Sequence, residues 1–145
     1  MENVNLERYI EAHKREYKQA LEEIKSGKKK THWMWYIFPQ IDGLGISSTS
    51  KYYAIRNIEE AQAYLNNEYL YNHLIEICKE LMKLNTNNII EVLPYPDNYK
   101  LCSSMTLFYL TNPKEEIFKQ VLDKYYNGKL DEKTIEILNK MEEIQ

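Results

Sequence analysis

The side chains best suited to chemistry begin with a histidine beside an aromatic cluster. His32 follows three lysines and precedes Trp33. A ring between apolar packing and positive charge favours the neutral imidazole, which can take up or donate a proton near neutral pH. The alternative is a histidine that bonds a backbone carbonyl at a helix start. Among carboxylates, Asp42 and Asp97 are the acid–base candidates, or else they are cap and turn residues.

Aromatic faces and a polar loop lie next to this histidine. Trp33 and Trp35 can each stack on a base, a sugar or a peptide side chain. Because residues at i and i+2 point to different sides of a helix, we expect one of them near the surface of a groove. Gln40 and Ser47 bound a glycine-bearing loop, where an amide and a hydroxyl can bind a polar ligand. Its GLG string is not a dinucleotide fingerprint, because no strand precedes it and the third glycine is absent.

A second polar group lies near position 100. Ser103, Ser104 and Thr106 place three hydroxyls within one turn of a segment that otherwise reads as a buried helix, and Lys100 lies one turn earlier. Hydroxyls lower helix propensity, so their number has a reason: bonds to i−4 carbonyls and tight helix packing, or a ligand. A serine nucleophile is disfavoured, because there is no GxSxG elbow and no His and Asp in motif order.

These two groups predict a polar hollow where the segment 31–47 meets the helix 97–110. Its expected ligand is nucleotide-like or a sugar phosphate, with His32 as the best catalytic candidate if there is turnover. The expected ligand-binding residues are His32, Trp33, Trp35, Gln40, Ser47, Tyr53, Lys100, Ser103, Ser104 and Thr106. The alternative function is a non-catalytic protein–protein interaction or regulatory module. It predicts an exposed apolar patch near Trp33 or the tyrosines and leaves a homo-oligomer open.

Composition narrows the partners. The 19 basic and 22 acidic residues give a net charge of −3, which weighs against a nucleic-acid binder, so that function ranks last. The basic run at Lys25, Lys28, Lys29 and Lys30 is typical of a solvated helix end, with a phosphate-facing role as the alternative. No apolar run approaches the roughly 20 residues of a membrane span. The first residues lack the order of a signal peptide, so we expect a cytoplasmic protein.

Cysteines and histidines predict neither a disulfide nor a metal site. Cys78 and Cys102 share no close spacing and fall in apolar helical patterns, where buried free thiols are usual. The three histidines at 13, 32 and 73 have neither cysteine companions nor an HExxH arrangement. We therefore expect no structural metal and no cofactor.

Apolar residues recur at spacings of three and four, which predicts helices along most of the chain. The expected helices are 5–26, 32–38, one turn ending at Tyr53, 57–65, 70–84, 88–91, 97–110, a segment from Pro113 to the Asn127-Gly128 stop, and one from Asp131 through Met141. Predicted caps are Asn5, Ser48 or Thr49, Asn57, Asn112 and Asp131. The segment 32–38 also suits a strand, but a strand there would have no partner. We predict an all-α fold, a compact single-domain bundle (1–145) of about seven to nine helices.

Four strings resemble the family known as domain of unknown function 1810. They are KKKTHWMWYIFPQ (28–40), GLGIS (43–47), KYYAI (51–55) and KLCSSMTLF (100–108), and LERYIEAH and FKQVLDKYYNGKLDEKTIEIL also match. The resemblance implies an all-helical single domain and brings no established catalytic residues. Some members are labelled calpastatin, which implies inhibition of a cysteine protease, but the residues of this chain supply no mechanism for it. The motif positions are His32, Trp33, Trp35, Pro39, Gln40, Ser47, Tyr53, Lys100, Ser103, Ser104 and Thr106.

Overall fold

Helices account for nearly all regular structure in residues 4–144, the part of the chain that the computed structural model describes. They are α1 (Glu7–Ser26), α2 (Met34–Ile37), α3 (Ser48–Tyr53), α4 (Ile58–Asn66), α5 (Glu68–Lys83), α6 (Ile89–Val92), α7 (Asp97–Thr111), α8 (Glu116–Tyr126) and α9 (Glu132–Ile144). Within these residues, extended pairing is limited to an isolated parallel bridge between Ile41 and Ile55. The prediction of an all-α fold is confirmed.

Side-chain caps set where several helices begin. Asn57 accepts a hydrogen bond from the Glu60 amide (2.8 Å), and Asp131 accepts one from the Thr134 amide (3.3 Å), as predicted. The cap of α3 differs from the prediction. Ser47, not Ser48 or Thr49, has extended backbone geometry and accepts from the Ser50 amide at 3.1 Å. The helix α3 therefore begins at Ser48, directly after the residue whose hydroxyl caps it.

Two helices start later than predicted. Asn5 accepts from the Glu7 amide (2.9 Å), so α1 begins at Glu7 and not at residue 5. α8 begins at Glu116 and not at Pro113, because a bond from the Glu115 amide to the Asn112 carbonyl closes a turn first (3.1 Å). The Glu115 carboxylate accepts from the Tyr71 hydroxyl. It is therefore engaged with α5 and does not complete a capping box.

The core lies where α5, α7 and α8 meet. α7 packs against α8 and α9, α5 packs against α1 and α8, and α4 packs against α5 and α7. Its largest fully buried side chains are aromatic: Trp33, Tyr9, Tyr64, Phe38, Phe108 and Phe118. Cys78 is a buried free thiol and Cys102 a partly buried one, as predicted. None of the helices in residues 4–144 combines the length and the apolar composition that a membrane span requires.

A buried histidine connects α1, α2 and α5. Nε2 of His13 lies 2.8 Å from the Tyr36 carbonyl oxygen, to which it donates. Its Nδ1 is then the acceptor for Nδ1 of His73, at 2.9 Å. Burial lowers the pKa of His13 to about 4, so the ring is neutral at physiological pH. This side chain fixes the C-terminal part of α2, next to which the functional candidates lie.

Candidate functional site

A cleft of about 810 Å³ opens between the segment from Lys29 to Tyr53 and the first turn of α7. We call it the main cleft. Its wall contains six of the ten predicted ligand-binding residues: His32, Trp33, Trp35, Ser47, Tyr53 and Lys100. It also contains Lys29, Ser48, Thr49 and Asp97. The structure thus brings part of the segment 31–47 together with the start of the helix 97–110.

Two lysines share one carboxylate in this wall. Nζ of Lys29 lies 2.9 Å from Oδ2 of Asp97, and Nζ of Lys100 lies 3.0 Å from Oδ1. Both carboxylate oxygens are engaged, so Asp97 positions the lysines. The side chains of Lys29, Asp97 and Lys100 are only 9%, 14% and 20% exposed. One positive charge is left in excess with little access to water, a costly state that an anion would relieve.

The two tryptophans, Trp33 just before α2 and Trp35 within it, differ in burial, and one of them lies near the surface as their spacing predicts. Trp33 is 1% exposed and donates from Nε1 to Glu23 at 2.9 Å, so most of it belongs to the core. Trp35 is partly buried, and Nζ of Lys100 lies 4.0 Å from the centroid of its ring. This distance is that of a cation–π contact. Trp35 is therefore the aromatic face that combines with charge at the cleft surface.

Glu23 positions the loop before α2 and was not among the predicted site residues. It is 3% exposed and accepts from the amides of Lys30 (2.7 Å) and Thr31 (3.0 Å), from the indole of Trp33, and from Gln19 Nε2 (2.8 Å). Burial raises the pKa of this carboxyl, but the hydrogen bonds outweigh burial and lower it to about 2. The sequence signal for this role was a glutamate within the apolar stripe of α1, four residues before Gly27, at which the helix ends.

Hydroxyls of α3 form the opposite wall of the cleft. Ser47 lines it, although its hydroxyl already caps α3 and donates to Ser50 Oγ at 3.0 Å. Ser48 and Thr49 are exposed, so their hydroxyls are available to a ligand. A Cβ at Gly45 would collide with the Ser50 side chain. Glycine at 45 therefore lets the loop pass close to α3.

His32 lies on the rim of the cleft. The sequence predicted a ring packed against apolar groups, or one bonded to a carbonyl at a helix start, but the side chain is exposed. It is the His32 backbone carbonyl that accepts a bond, from the Tyr36 hydroxyl at 3.0 Å. Tyr53 is partly buried, and its ring centroid lies 4.9 Å from that of Tyr36. His32 and Tyr53 both border the opening of the main cleft.

Four predicted ligand-binding residues do not line the main cleft. Ser104 is completely buried, and Thr106 accepts from the Asp131 amide at 2.8 Å. Ser103 is 7% exposed and donates to Oδ2 of Asp131 at 2.8 Å. The physical reason is that α7 runs from the cleft into the core, about 5.4 Å deeper with each turn. Its second and third turns therefore meet the α8–α9 connection.

Gln40, the fourth, is 7% exposed and lies beside a smaller hollow. Its backbone carbonyl accepts from the Ile55 amide at 2.8 Å, which holds the chain in the parallel bridge. The expectation of one continuous hollow containing all ten residues is therefore wrong. The polar side chains divide between the main cleft, the smaller hollow and the core.

The chain is similar to the members of a known protein family and to a solved structure. The model of the family described as "Protein of unknown function (DUF1810)" matches residues 3–138. The chain belongs to this family. The crystal structure of the conserved hypothetical protein Rv1873 from Mycobacterium tuberculosis is similar to it, with 40% sequence identity and a TM-score of 0.90. The match covers 92% of this chain and 96% of that one. No curated protein matches the chain.

Membership of DUF1810 confirms the resemblance found in the sequence. Each of the four strings that indicated it contributes to the wall of the main cleft, with Lys29, Ser47, Tyr52 and Lys100 as examples. Neither the family description nor the mycobacterial neighbour specifies an activity. The function of this DUF1810 protein is therefore inferred from the chemistry of the site itself.

Proposed function

We propose that the main cleft binds a small phosphorylated molecule, nucleotide-like or a sugar phosphate. The observation that supports this most is the Lys29–Asp97–Lys100 cluster, whose excess positive charge lies in a protein of net charge −3. A phosphate group would accept hydrogen bonds from both ammonium groups and balance their charge. Lysine is a common phosphate ligand because it presents a compact charge with three donors.

The remaining wall suits the rest of such a ligand. Nζ of Lys100 covers one face of the partly buried Trp35 ring, so a flat ring of the ligand can pack against the edge or the other face of this indole. Ser48 and Thr49 offer exposed hydroxyls. The volume of about 810 Å³ lies within the usual range for small-molecule sites, roughly 300–1,000 Å³. His32 on the rim is the candidate for proton transfer if the bound molecule reacts.

Two broader expectations accompany this proposal. One hydrophobic cluster includes residues from Leu6 near α1 to Leu138 in α9, which supports a single domain over 1–145. A site for a small phosphorylated metabolite is also consistent with a cytoplasmic location.

Replacing Lys100 by alanine should weaken the binding of AMP about 10- to 100-fold, the range expected for losing a hydrogen bond to a charged group. Adenosine should bind far more weakly than AMP to the unaltered protein. Isothermal titration calorimetry measures both. Lys79→Ala, an exposed substitution on α5, is the matched control and should leave AMP binding unchanged. Equal affinity for AMP and adenosine, or normal AMP binding by Lys100→Ala, would contradict the proposal.

Exposed apolar residues favour a second candidate function, the non-catalytic interaction module. Ile90 is 54% exposed, Tyr95 74% and Tyr99 63%, and Ile90 and Tyr99 border a groove of about 650 Å³. These exposed residues include two tyrosines, which supports that alternative. Exposed apolar side chains that lie together form a type of surface that proteins use for association.

If this patch binds a second copy of the chain, sedimentation velocity should show mass increasing with concentration, and Tyr95→Ser should abolish the increase. Tyr52→Ser, which alters an exposed tyrosine that is not part of the patch formed by Ile90, Tyr95 and Tyr99, is the control. A monomer at every concentration would reject self-association through this surface.

A further inference from the structure

A smaller hollow, the annex, adjoins the main cleft. The annex has a volume of about 230 Å³ and shares Trp35 and Lys100 with the cleft. Its other polar side chains are those of Gln40, Tyr99, Ser103, Asp131 and Lys133. Its volume is below the roughly 300–1,000 Å³ typical of whole-ligand sites, so it suits one ring of a larger molecule. A ligand bound against Lys100 can therefore extend to both sides of that residue.

Two polar groups at the annex have unused hydrogen-bonding capacity. The bonds that Asp131 receives from the hydroxyls of Ser103 (2.8 Å) and Thr134 (2.6 Å) both end on Oδ2. Within residues 4–144, no donor reaches its Oδ1. Nε2 of Gln40 also has no partner among these residues and is itself buried, so a ligand in the annex reaches this donor when the Gln40 side chain rotates. A free acceptor and a free donor thus belong to side chains that border the same hollow.

Sugar hydroxyls match this set of groups better than other ligand parts do. Each hydroxyl both donates and accepts, so it can donate to a carboxylate and accept from a carboxamide or an ammonium group. A second phosphate would be repelled by Asp131, and an apolar group would leave the Gln40 amide unsatisfied. Lys133 is exposed at the annex and can donate to an outer hydroxyl.

We propose that the annex binds the hydroxylated ring of a sugar whose phosphate group lies against Lys100 and Lys29 in the main cleft. This inference rests on the proposed function and specifies its ligand as a sugar phosphate, alone or as part of a nucleotide. Trp35, which borders both hollows, then lies beside the ring, and the annex distinguishes such ligands from phosphates that lack hydroxyls.

The test compares ribose 5-phosphate with tetrahydrofurfuryl phosphate, which has the same five-membered ring without its hydroxyls. Calorimetry should show ribose 5-phosphate binding at least about tenfold more tightly, the value of roughly one hydrogen bond. In Gln40→Leu the new side chain is similar in shape but forms no hydrogen bond. This variant should bind ribose 5-phosphate about tenfold more weakly than the unaltered protein does, and tetrahydrofurfuryl phosphate equally well. Lys133→Ala changes an exposed residue, so it cannot act through the core, and should weaken the same ligand severalfold.

The outcomes separate the two proposals. Equal binding of both phosphates, with AMP also bound, would overturn the annex site and leave the phosphate site standing. The annex site would also be overturned if Gln40→Leu and Lys133→Ala each weakened the binding of both ligands equally. It would be overturned too if neither variant weakened the binding of either ligand. If Gln40→Leu fails to fold, Lys133→Ala alone decides between these results. Failure of the unaltered protein to bind AMP, ribose 5-phosphate and tetrahydrofurfuryl phosphate would overturn both proposals.

Discussion

Replacing Glu23 by glutamine should lower the free energy of unfolding by about 3–5 kcal/mol, the usual cost of breaking a buried charged network. The Glu23 carboxylate accepts from two backbone amides, the Thr31 hydroxyl, the Trp33 indole and Gln19. A glutamine has one acceptor oxygen in place of two and no charge, so the bonds to the two amides and the indole weaken, and Thr31 and Gln19 must turn to accept from its NH₂ group. Urea denaturation near neutral pH measures the change.

Glu22→Gln is the matched control for Glu23→Gln, because Glu22 is the adjacent glutamate in α1 and is exposed. It should change stability by less than about 0.5 kcal/mol. A loss below about 1 kcal/mol in Glu23→Gln would contradict the role given to this carboxylate. Since Glu23 holds the segment between Lys29 and Trp33, the variant should also bind AMP more weakly.

The stability difference should depend on pH in a defined direction. Burial opposes ionisation of Glu23, but its hydrogen bonds outweigh burial and lower the folded pKa to about 2, from an ordinary value of 4.5. A carboxylate with a lowered folded pKa contributes stability that is complete above its unfolded pKa and is lost as pH falls through the folded one. The gap between wild type and Glu23→Gln should therefore be constant above pH 4.5 and narrow towards pH 2.

Local patterns predicted most of the fold because helix limits depend on nearby residues. Asn57 and Asp131 each act within one turn of the amides they cap. The predicted start of α8 was wrong because a turn from Asn112 to Glu115 precedes the helix, and the Glu115 carboxylate accepts from Tyr71 in α5. That contact joins residues 44 positions apart, and no local pattern reveals it.

The candidate site was less predictable, since it depends on which side chains are buried together. Of the four lysines from Lys25 to Lys30, three are exposed as expected of a solvated helix end, while the Lys29 side chain is only 9% exposed beside Asp97. Ser104 and Thr106 belong to motifs typical of the family, yet both side chains are completely buried in the core. The same residue types thus serve a cleft or a core according to the direction in which α7 enters the fold.

Replacing Arg8 by methionine should lower the free energy of unfolding by about 3–5 kcal/mol, because it leaves a buried carboxylate without its partner. Arg8 pairs with Glu60 at 2.7 Å, and these two side chains are 9% and 7% exposed. The guanidinium also donates to the carbonyls of Tyr52 (2.8 Å) and Ala54 (3.0 Å). It therefore fixes the C-terminal end of α3, where Tyr52 and Tyr53 line the main cleft.

The double variant Arg8→Met/Glu60→Leu tests whether the cost arises from the charge left behind. Removing both charges should recover a large part of the loss, because a buried ion pair is often replaced by apolar groups at little cost. Recovery should be incomplete, since the carbonyls of Tyr52 and Ala54 still lose their donor. Lys14→Met on the exposed face of α1 is the control, with a change below about 0.5 kcal/mol. If the double variant loses the sum of the two single losses, the pair is not coupled, and Arg8 stabilises α3 through the carbonyl bonds alone.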